Sequence, residues 1–130
     1  MTGLPVTSVS AAIAALMLIA LSVPVSLRRA KVKALSGDAG DATLQRLIRA
    51  QGNFTEYAPM GLILLALVEV GVTPAVTLWT IGILLIAGRG LHALGMIRGS
   101  MILKGAGMLG TFASLVTSAV ILLARYFAQA

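Results

Sequence analysis

The chain has 130 residues, of which 58% are hydrophobic and only 11% are charged. Soluble domains have about 45–50% apolar and about 25% charged residues, so this sequence holds too few charges to cover a surface that faces water. Cysteine is absent, and one histidine with four carboxylates argues against a metal site. The formal charge of +6 fits basic cytoplasmic loops better than nucleic-acid binding. The composition therefore predicts an integral membrane protein.

Four apolar segments are long enough to cross a bilayer as helices, for which about 20 residues are needed. They cover residues 6–27, 43–70, 75–97 and 106–127. Because the connections are short, we predict an all-α, up-and-down transmembrane four-helix bundle in a single domain, residues 1–130. Asp41 or Thr43 is the expected N-cap of the second helix. Glu69, at the far end of that helix, is expected to be solvated.

Basic residues lie mainly in the first and third connections, and the second connection has none. They are Arg28, Arg29, Lys31, Lys33, Arg98 and Lys104. Loops rich in Lys and Arg stay on the cytoplasmic side of a membrane. The distribution therefore predicts that the first and third connections are cytoplasmic and that both termini lie outside the cytoplasm.

Five polar side chains are predicted to lie on one face of the second helix. At about 100° per residue, Arg46, Arg49, Asn53, Glu56 and Tyr57 fall within an arc of roughly 100°. Ionisable groups at membrane depth are costly and mark functional sites. Guanidiniums bind carboxylates and a carboxylate binds an ammonium, so the face suits a small ligand that carries both groups. In the structural alternative, the same charges pair with one another or with lipid headgroups.

The third and fourth helices hold fewer polar residues. Arg89 and His92 are three residues apart and share a helix face. The structural interpretation of Arg89 is a buried ion pair with Glu56 or a neighbouring carboxylate, while His92 either packs through a hydrogen bond or acts as a general base. Residues 105–110 have the spacing Gly-x-Gly-x-x-Gly. That pattern binds dinucleotides only between a strand and a helix, so in an apolar helix it predicts close helix packing.

The second helix also carries a family signature, in the string Arg49-Ala50-Gln51-Gly52-Asn53-Phe54-Thr55-Glu56-Tyr57-Ala58-Pro59. This string resembles the signature of the MAPEG family, the membrane-associated proteins in eicosanoid and glutathione metabolism, which is Arg-Ala-x-x-Asn-x-x-Glu-Tyr-x-Pro. Every defined position is met. The pair Arg28-Arg29 is similar to the family's arginine pair after the first helix, and Gly88-Arg89, His92 and Gly95 are similar to its third helix. The chain resembles the small bacterial members rather than the eicosanoid synthases.

The resemblance implies a homotrimer in the bacterial inner membrane, with glutathione bound as a substrate between neighbouring subunits at the cytoplasmic side. It implies a glutathione transferase or peroxidase that acts on a hydrophobic electrophile or a lipid hydroperoxide from the membrane, without a metal. The implied glutathione contacts are Arg49, Gln51, Asn53, Glu56, Tyr57 and His92, with Arg28 or Arg29 contributed by the adjacent subunit.

The sequence departs from the eicosanoid synthases near the sulfur of glutathione. Those enzymes have tyrosines where this chain has His92 and Met96, and an arginine where this chain has Leu103 followed by Lys104. A nearby cation lowers the pKa of a thiol, which is ordinarily about 8.5, and we expect Arg49 or Lys104 to supply it. The alternative is a catalytically inactive membrane binding or scaffold protein that has kept the fold. A multidrug-type transporter is disfavoured because the first, third and fourth segments contain no carboxylate.

Overall fold

The structure, a computed structural model, describes residues 3–129. In that range the chain forms four helices: α1 (Pro5–Val32), α2 (Ala42–Val70), α3 (Ala75–Arg98) and α4 (Met101–Gln129). Consecutive helices pack against each other, and all four are long and apolar enough to cross a membrane. The predicted all-α fold with four membrane-length helices is confirmed. The helix α1 continues past residue 27 through a basic last turn, which is favourable because the C-terminus of a helix carries negative partial charge.

The basic end of the bundle comprises the α1–α2 connection (residues 33–41) and the α3–α4 connection (residues 99–100). Asp41 is the N-cap of α2, as predicted, and its carboxylate accepts a hydrogen bond from the Leu44 N–H at 2.7 Å. The same carboxylate accepts two hydrogen bonds from the Arg28 guanidinium, at 3.0 and 2.6 Å. The Arg28 contact first, and the Leu44 N–H second, lower the pKa of Asp41 to about 2. Gly99 adopts a left-handed φ of 72°, which ends α3 and allows α4 to follow directly.

The prediction that Glu69 is solvated is wrong. Its side chain is only 8% exposed, and its two carboxylate oxygens accept the backbone N–H groups of Val6 and Thr7 at 2.8 and 2.7 Å. The first N–H groups of a helix have no acceptor within the helix and carry positive partial charge. Leu4, at the N-cap position, provides no side-chain acceptor. Glu69 therefore supplies from α2 the cap that the start of α1 lacks.

The packing of the four helices is uneven. The helix α3 is the most enclosed and α1 the most exposed. At the end opposite the basic end, Leu65 and Val68 of α2 pack with Val6 of α1 and Ile81 of α3. Many large apolar side chains remain exposed, which carries no penalty against lipid tails that are equally apolar. The exposed set includes Leu16, Ile19, Ile63, Ile83, Leu109 and Val116.

The helices α3 and α4 approach each other closely through glycines. A Cβ atom at Gly107 would overlap the backbone of His92, and one at Gly88 would lie 2.8 Å from the backbone nitrogen of Thr111. Any side chain at these positions would push the helices apart. Close packing by the glycines of residues 105–110 is confirmed at Gly107, whereas a Cβ at Gly105 would meet open space.

Candidate functional site

A cleft of about 320 Å³ lies between α2 and α3, towards the basic end. Arg49, Asn53 and Glu56 are spaced by four and three residues, so one face of α2 presents all three side chains to it. The volume is at the lower end of the range of about 300–1,000 Å³ that is typical of small-molecule sites. The full lining is Ile48, Arg49, Gly52, Asn53, Glu56, His92 and Met96. The cleft thus brings together a guanidinium, an amide, a carboxylate and an imidazole.

Ile48 and Gly52 were not among the predicted site residues. Gly52 comes three residues after Arg49 and four before Glu56, so it lies on the same helix face. A Cβ atom at Gly52 would meet no neighbour within 4 Å, and its absence leaves space between the charged side chains. The sequence feature that could have indicated Gly52 as a lining residue is a glycine at helical spacing within a charged helix face.

Arg89 lies behind the cleft, enclosed by α2, α3 and α4, and is only 1% exposed. Its Nε donates a hydrogen bond to Thr111 Oγ1 at 2.8 Å, and its Nη1 donates to Asn53 Oδ1 at 2.7 Å. The guanidinium carbon also lies 4.9 Å from the centre of the Tyr57 ring, in a cation–π contact. Neutral oxygens, the Met108 sulfur and one aromatic face thus surround this buried cation.

The predicted ion pair between Arg89 and Glu56 does not form. Within residues 3–129, the one ion pair joins Arg28 to Asp41. Asn53 faces Arg89 across the contact between α2 and α3, whereas Glu56 is exposed and lines the cleft. In consequence the Glu56 carboxylate is available to a ligand. Because Arg89 occupies Oδ1 of Asn53, the N–H groups of that amide are left to donate into the cleft.

Three polar residues of the predicted α2 set lie outside the cleft lining. Tyr57 packs inward, with its ring centre 6.0 Å from that of Phe112. Gln51 donates a hydrogen bond to Ser22 Oγ at 2.9 Å and so ties α2 to α1. Arg46 is exposed and is not part of the lining.

Arg28 and Arg29, in the last turns of α1, bind residues of the α1–α2 connection. Arg28 donates to Asp41, and Nη1 of Arg29 donates to the carbonyl oxygen of Gly37 at 2.8 Å. Neither arginine lines the cleft of the same chain. Their contacts instead fix the path of the α1–α2 connection.

His92 and Lys104 meet where α3 packs against α4. His92 is 7% exposed, and its Nδ1 lies 3.1 Å from the backbone carbonyl oxygen of Lys104. The Lys104 side chain is not part of the cleft lining, whereas that of Arg49 is. Of the two cations predicted to act on a thiol, the single chain therefore brings only Arg49 to the cleft.

These features define a class of protein: a multi-pass membrane protein of four helices with a small polar cleft towards its basic end. A sequence model of the MAPEG family matches residues 6–124. The chain belongs to the MAPEG family. Curated relatives from two strains of Escherichia coli, both named inner membrane protein YecN, are 31% identical over 111 residues, which is 85% of this chain and 85% of the relative. Together with the four membrane-length helices, this similarity confirms the predicted location in a bacterial inner membrane.

Proposed function

We propose that the protein is a glutathione-dependent membrane transferase or peroxidase that acts on hydrophobic electrophiles. The observation that carries the proposal is the cleft, in which Arg49, Asn53 and Glu56 share one face of α2. Membership of the MAPEG family, named for eicosanoid and glutathione metabolism, supports it independently of the geometry.

The chemistry of the lining suits glutathione, which has two carboxylates, one ammonium and one thiol. The Arg49 guanidinium is a planar donor that matches a carboxylate, and the Glu56 carboxylate matches the ammonium. Asn53 donates through its amide N–H groups because Arg89 holds its oxygen. We propose further that the protein is a homotrimer, in which Arg28 or Arg29 of an adjacent subunit binds the second carboxylate.

The second substrate would come from the bilayer. Ile48 and Met96 make part of the cleft wall apolar, next to the charged groups. A thiolate is the reactive form of a thiol. In conjugation its sulfur bonds to an electrophilic carbon as the leaving group departs, and in peroxide reduction it bonds to the terminal oxygen as the O–O bond breaks.

Isothermal titration calorimetry of the purified protein in detergent tests the binding site. We expect Arg49→Ala to raise the Kd for glutathione at least tenfold, because hydrogen bonds to charged groups contribute about 1.5–3 kcal/mol and about 1.4 kcal/mol corresponds to tenfold. Arg46→Ala is the matched control, since this exposed arginine is one turn earlier on α2 and outside the cleft. Equal losses in both variants would show that general charge, and not the cleft, attracts glutathione.

Activity assays test the reaction. Conjugation of a chlorodinitrobenzene-type electrophile and reduction of a lipid hydroperoxide are measured for the wild type, Arg49→Ala and Glu56→Gln, and we expect both substitutions to reduce whichever activity is present. Binding of glutathione with neither reaction would refute the enzymatic part and favour an inactive binding protein. No binding at millimolar glutathione would refute the whole proposal. A dominant monomer or dimer after cross-linking in mild detergent would refute the trimer.

A further inference from the structure

The helix α4 holds the His92 ring in one orientation. Nδ1 lies 3.1 Å from the backbone carbonyl oxygen of Lys104. A carbonyl oxygen only accepts hydrogen bonds, so Nδ1 carries the hydrogen. In a neutral imidazole the other nitrogen, Nε2, then carries the lone pair. The contact with α4 therefore makes Nε2 the proton acceptor of this side chain.

Nε2 of His92 has no hydrogen-bond partner among the described residues and keeps contact with open space. Within residues 3–129 it makes no hydrogen bond. In the same range, the one fully enclosed side-chain nitrogen or oxygen atom that lacks a hydrogen-bond partner is Oγ1 of Thr7, so Nε2 of His92 is not fully enclosed. Nε2 therefore keeps some accessible surface although the residue as a whole is buried. His92 lines the cleft together with Arg49 and Glu56.

The packing of α4 on both sides of His92 keeps the ring in place. A Cβ atom at Gly95 would lie 2.5 Å from the backbone nitrogen of Lys104, and one at Gly107 would overlap the His92 backbone nitrogen. The backbone of α4 thus lies directly against α3 before and after the point where it accepts the Nδ1–H bond. Functional groups on packed helices keep their geometry better than groups on loops.

Among the polar groups of the lining, imidazole is the best suited to receive a proton from a thiol. A guanidinium cannot act as a base near neutral pH, which excludes Arg49. Imidazole is the side chain whose ordinary pKa lies close to neutrality, so it can both accept and return a proton there. The Glu56 carboxylate would instead bind the ammonium of glutathione.

We propose that Nε2 of His92 takes the proton from the thiol of glutathione bound in this cleft, so that His92 is a catalytic base. The inference rests on the proposed glutathione-dependent function. The S–H bond breaks, its electron pair stays on sulfur, and the proton binds Nε2. The imidazolium and the Arg49 guanidinium then stabilise the thiolate, since nearby cations favour the ionised form of a thiol.

The rest of the cycle balances without another reagent. The sulfur bonds to the electrophilic carbon of the second substrate, and the leaving group departs with its bonding electrons. The imidazolium then gives its proton to water and returns to the neutral form. Charged and titratable groups towards this end of the packed helices are Arg28, Arg29 and Lys31 on α1, Arg46, Arg49, Glu56 and Tyr57 on α2, Arg89 and Arg98 on α3, and Lys104 on α4.

The variant His92→Asn separates catalysis from structure. The asparagine amide can still donate to the Lys104 carbonyl, but it puts no proton acceptor at the position of Nε2. We expect kcat for conjugation to fall about 100-fold at neutral pH, since general bases contribute roughly 10²–10⁴-fold, with an unchanged KM for glutathione. The residual activity should rise with pH towards the ordinary thiol pKa of about 8.5, because the thiolate must then form in solution.

A merely structural role would give a different pattern. The melting temperature and kcat would fall, the Kd for glutathione would rise, and the shape of the pH profile would stay that of the wild type. That result, or a kcat for His92→Asn equal to that of the wild type, overturns the proposal.

A measurement on the wild type does not depend on whether the variant folds. Protein and glutathione are mixed in weak buffer near neutral pH. Stopped-flow spectroscopy follows the ultraviolet band of the thiolate and the colour of a pH indicator. We expect thiolate to form without release of an equivalent proton to the solvent. One proton released for each thiolate, or no thiolate band, contradicts the role of His92. No binding of glutathione at all would instead refute the proposed function itself.

Discussion

Thr111→Val removes the hydroxyl that accepts the Nε–H hydrogen bond of Arg89. Both residues are almost fully enclosed, with Thr111 0% and Arg89 1% exposed, and the two atoms are 2.8 Å apart. Valine has nearly the same shape as threonine and a similar helix propensity, so the change leaves no cavity. The variant therefore measures one hydrogen bond between α3 and α4 to a buried cation.

The expected loss is about 1.5 kcal/mol in the free energy of unfolding. Hydrogen bonds to charged groups contribute about 1.5–3 kcal/mol, because a buried charge that loses an acceptor cannot turn to water instead. Hydrogen bonds between membrane helices average only about 0.6 kcal/mol and reach about 1.7 kcal/mol, which places this bond near the upper end for such proteins. The Thr111 hydroxyl also donates a hydrogen bond to the carbonyl oxygen of Gly107 in its own helix. Its removal should add little to the loss of stability, because that oxygen can still accept a backbone N–H hydrogen bond within the helix.

The assay is equilibrium unfolding in detergent micelles, followed by circular dichroism. All variants are compared at one protein concentration, because association of subunits would make stability depend on concentration. Thr117→Val is the matched control, since this threonine is exposed on the same helix and its loss should change stability by less than about 0.5 kcal/mol. If Thr111→Val and Thr117→Val unfold at the same point, the hydroxyl does not stabilise Arg89 and the reasoning is wrong.

Two further predictions concern the helix contacts and the basic end. Gly107→Ala should destabilise the bundle by about 1–3 kcal/mol, because the added methyl group overlaps the α3 backbone, whereas Gly105→Ala, which meets open space, should be neutral or slightly stabilising in the same unfolding assay. Asp41→Asn keeps a capping side chain but loses the charge that pairs with Arg28. Because the pKa of Asp41 is lowered to about 2 in the folded protein, the stability that its charge adds is complete above the ordinary value of about 3.9 and is lost as the pH falls through the folded value. Unfolding midpoints of the wild type and Asp41→Asn should therefore differ near neutral pH and converge towards about pH 2; a constant difference across that range would contradict this account.

The structure places only part of the predicted polar face of α2 in the cleft, for a physical reason. Helical periodicity places residues on a face of their own helix, and this is why Arg49, Asn53 and Glu56 were expected together. Periodicity within one helix does not indicate which part of that face another helix covers. Tyr57 therefore belongs to the predicted arc but packs inward against Phe112.

The failed predictions concern partners on other helices. Arg89 and Glu56 have opposite charges, so the sequence favoured an ion pair, but the rotation of α2 brings Asn53 to Arg89 instead. Glu69 finds its partners in the N–H groups of Val6 and Thr7, more than 60 residues away. Backbone donors are present at nearly every residue, so no feature of the sequence distinguishes the ones that a side chain will reach.

The membrane environment, the four helices and the family signature on α2 follow from the sequence alone, because each depends on composition or on spacing within one segment. The closeness of α3 and α4 was also predictable, since glycines at helical spacing allow backbones to meet. The atoms that those helices bring together depend instead on how the helices pack. The orientation of His92 depends on a backbone carbonyl of Lys104, and that contact exists only because the rotation and separation of two packed helices place it there.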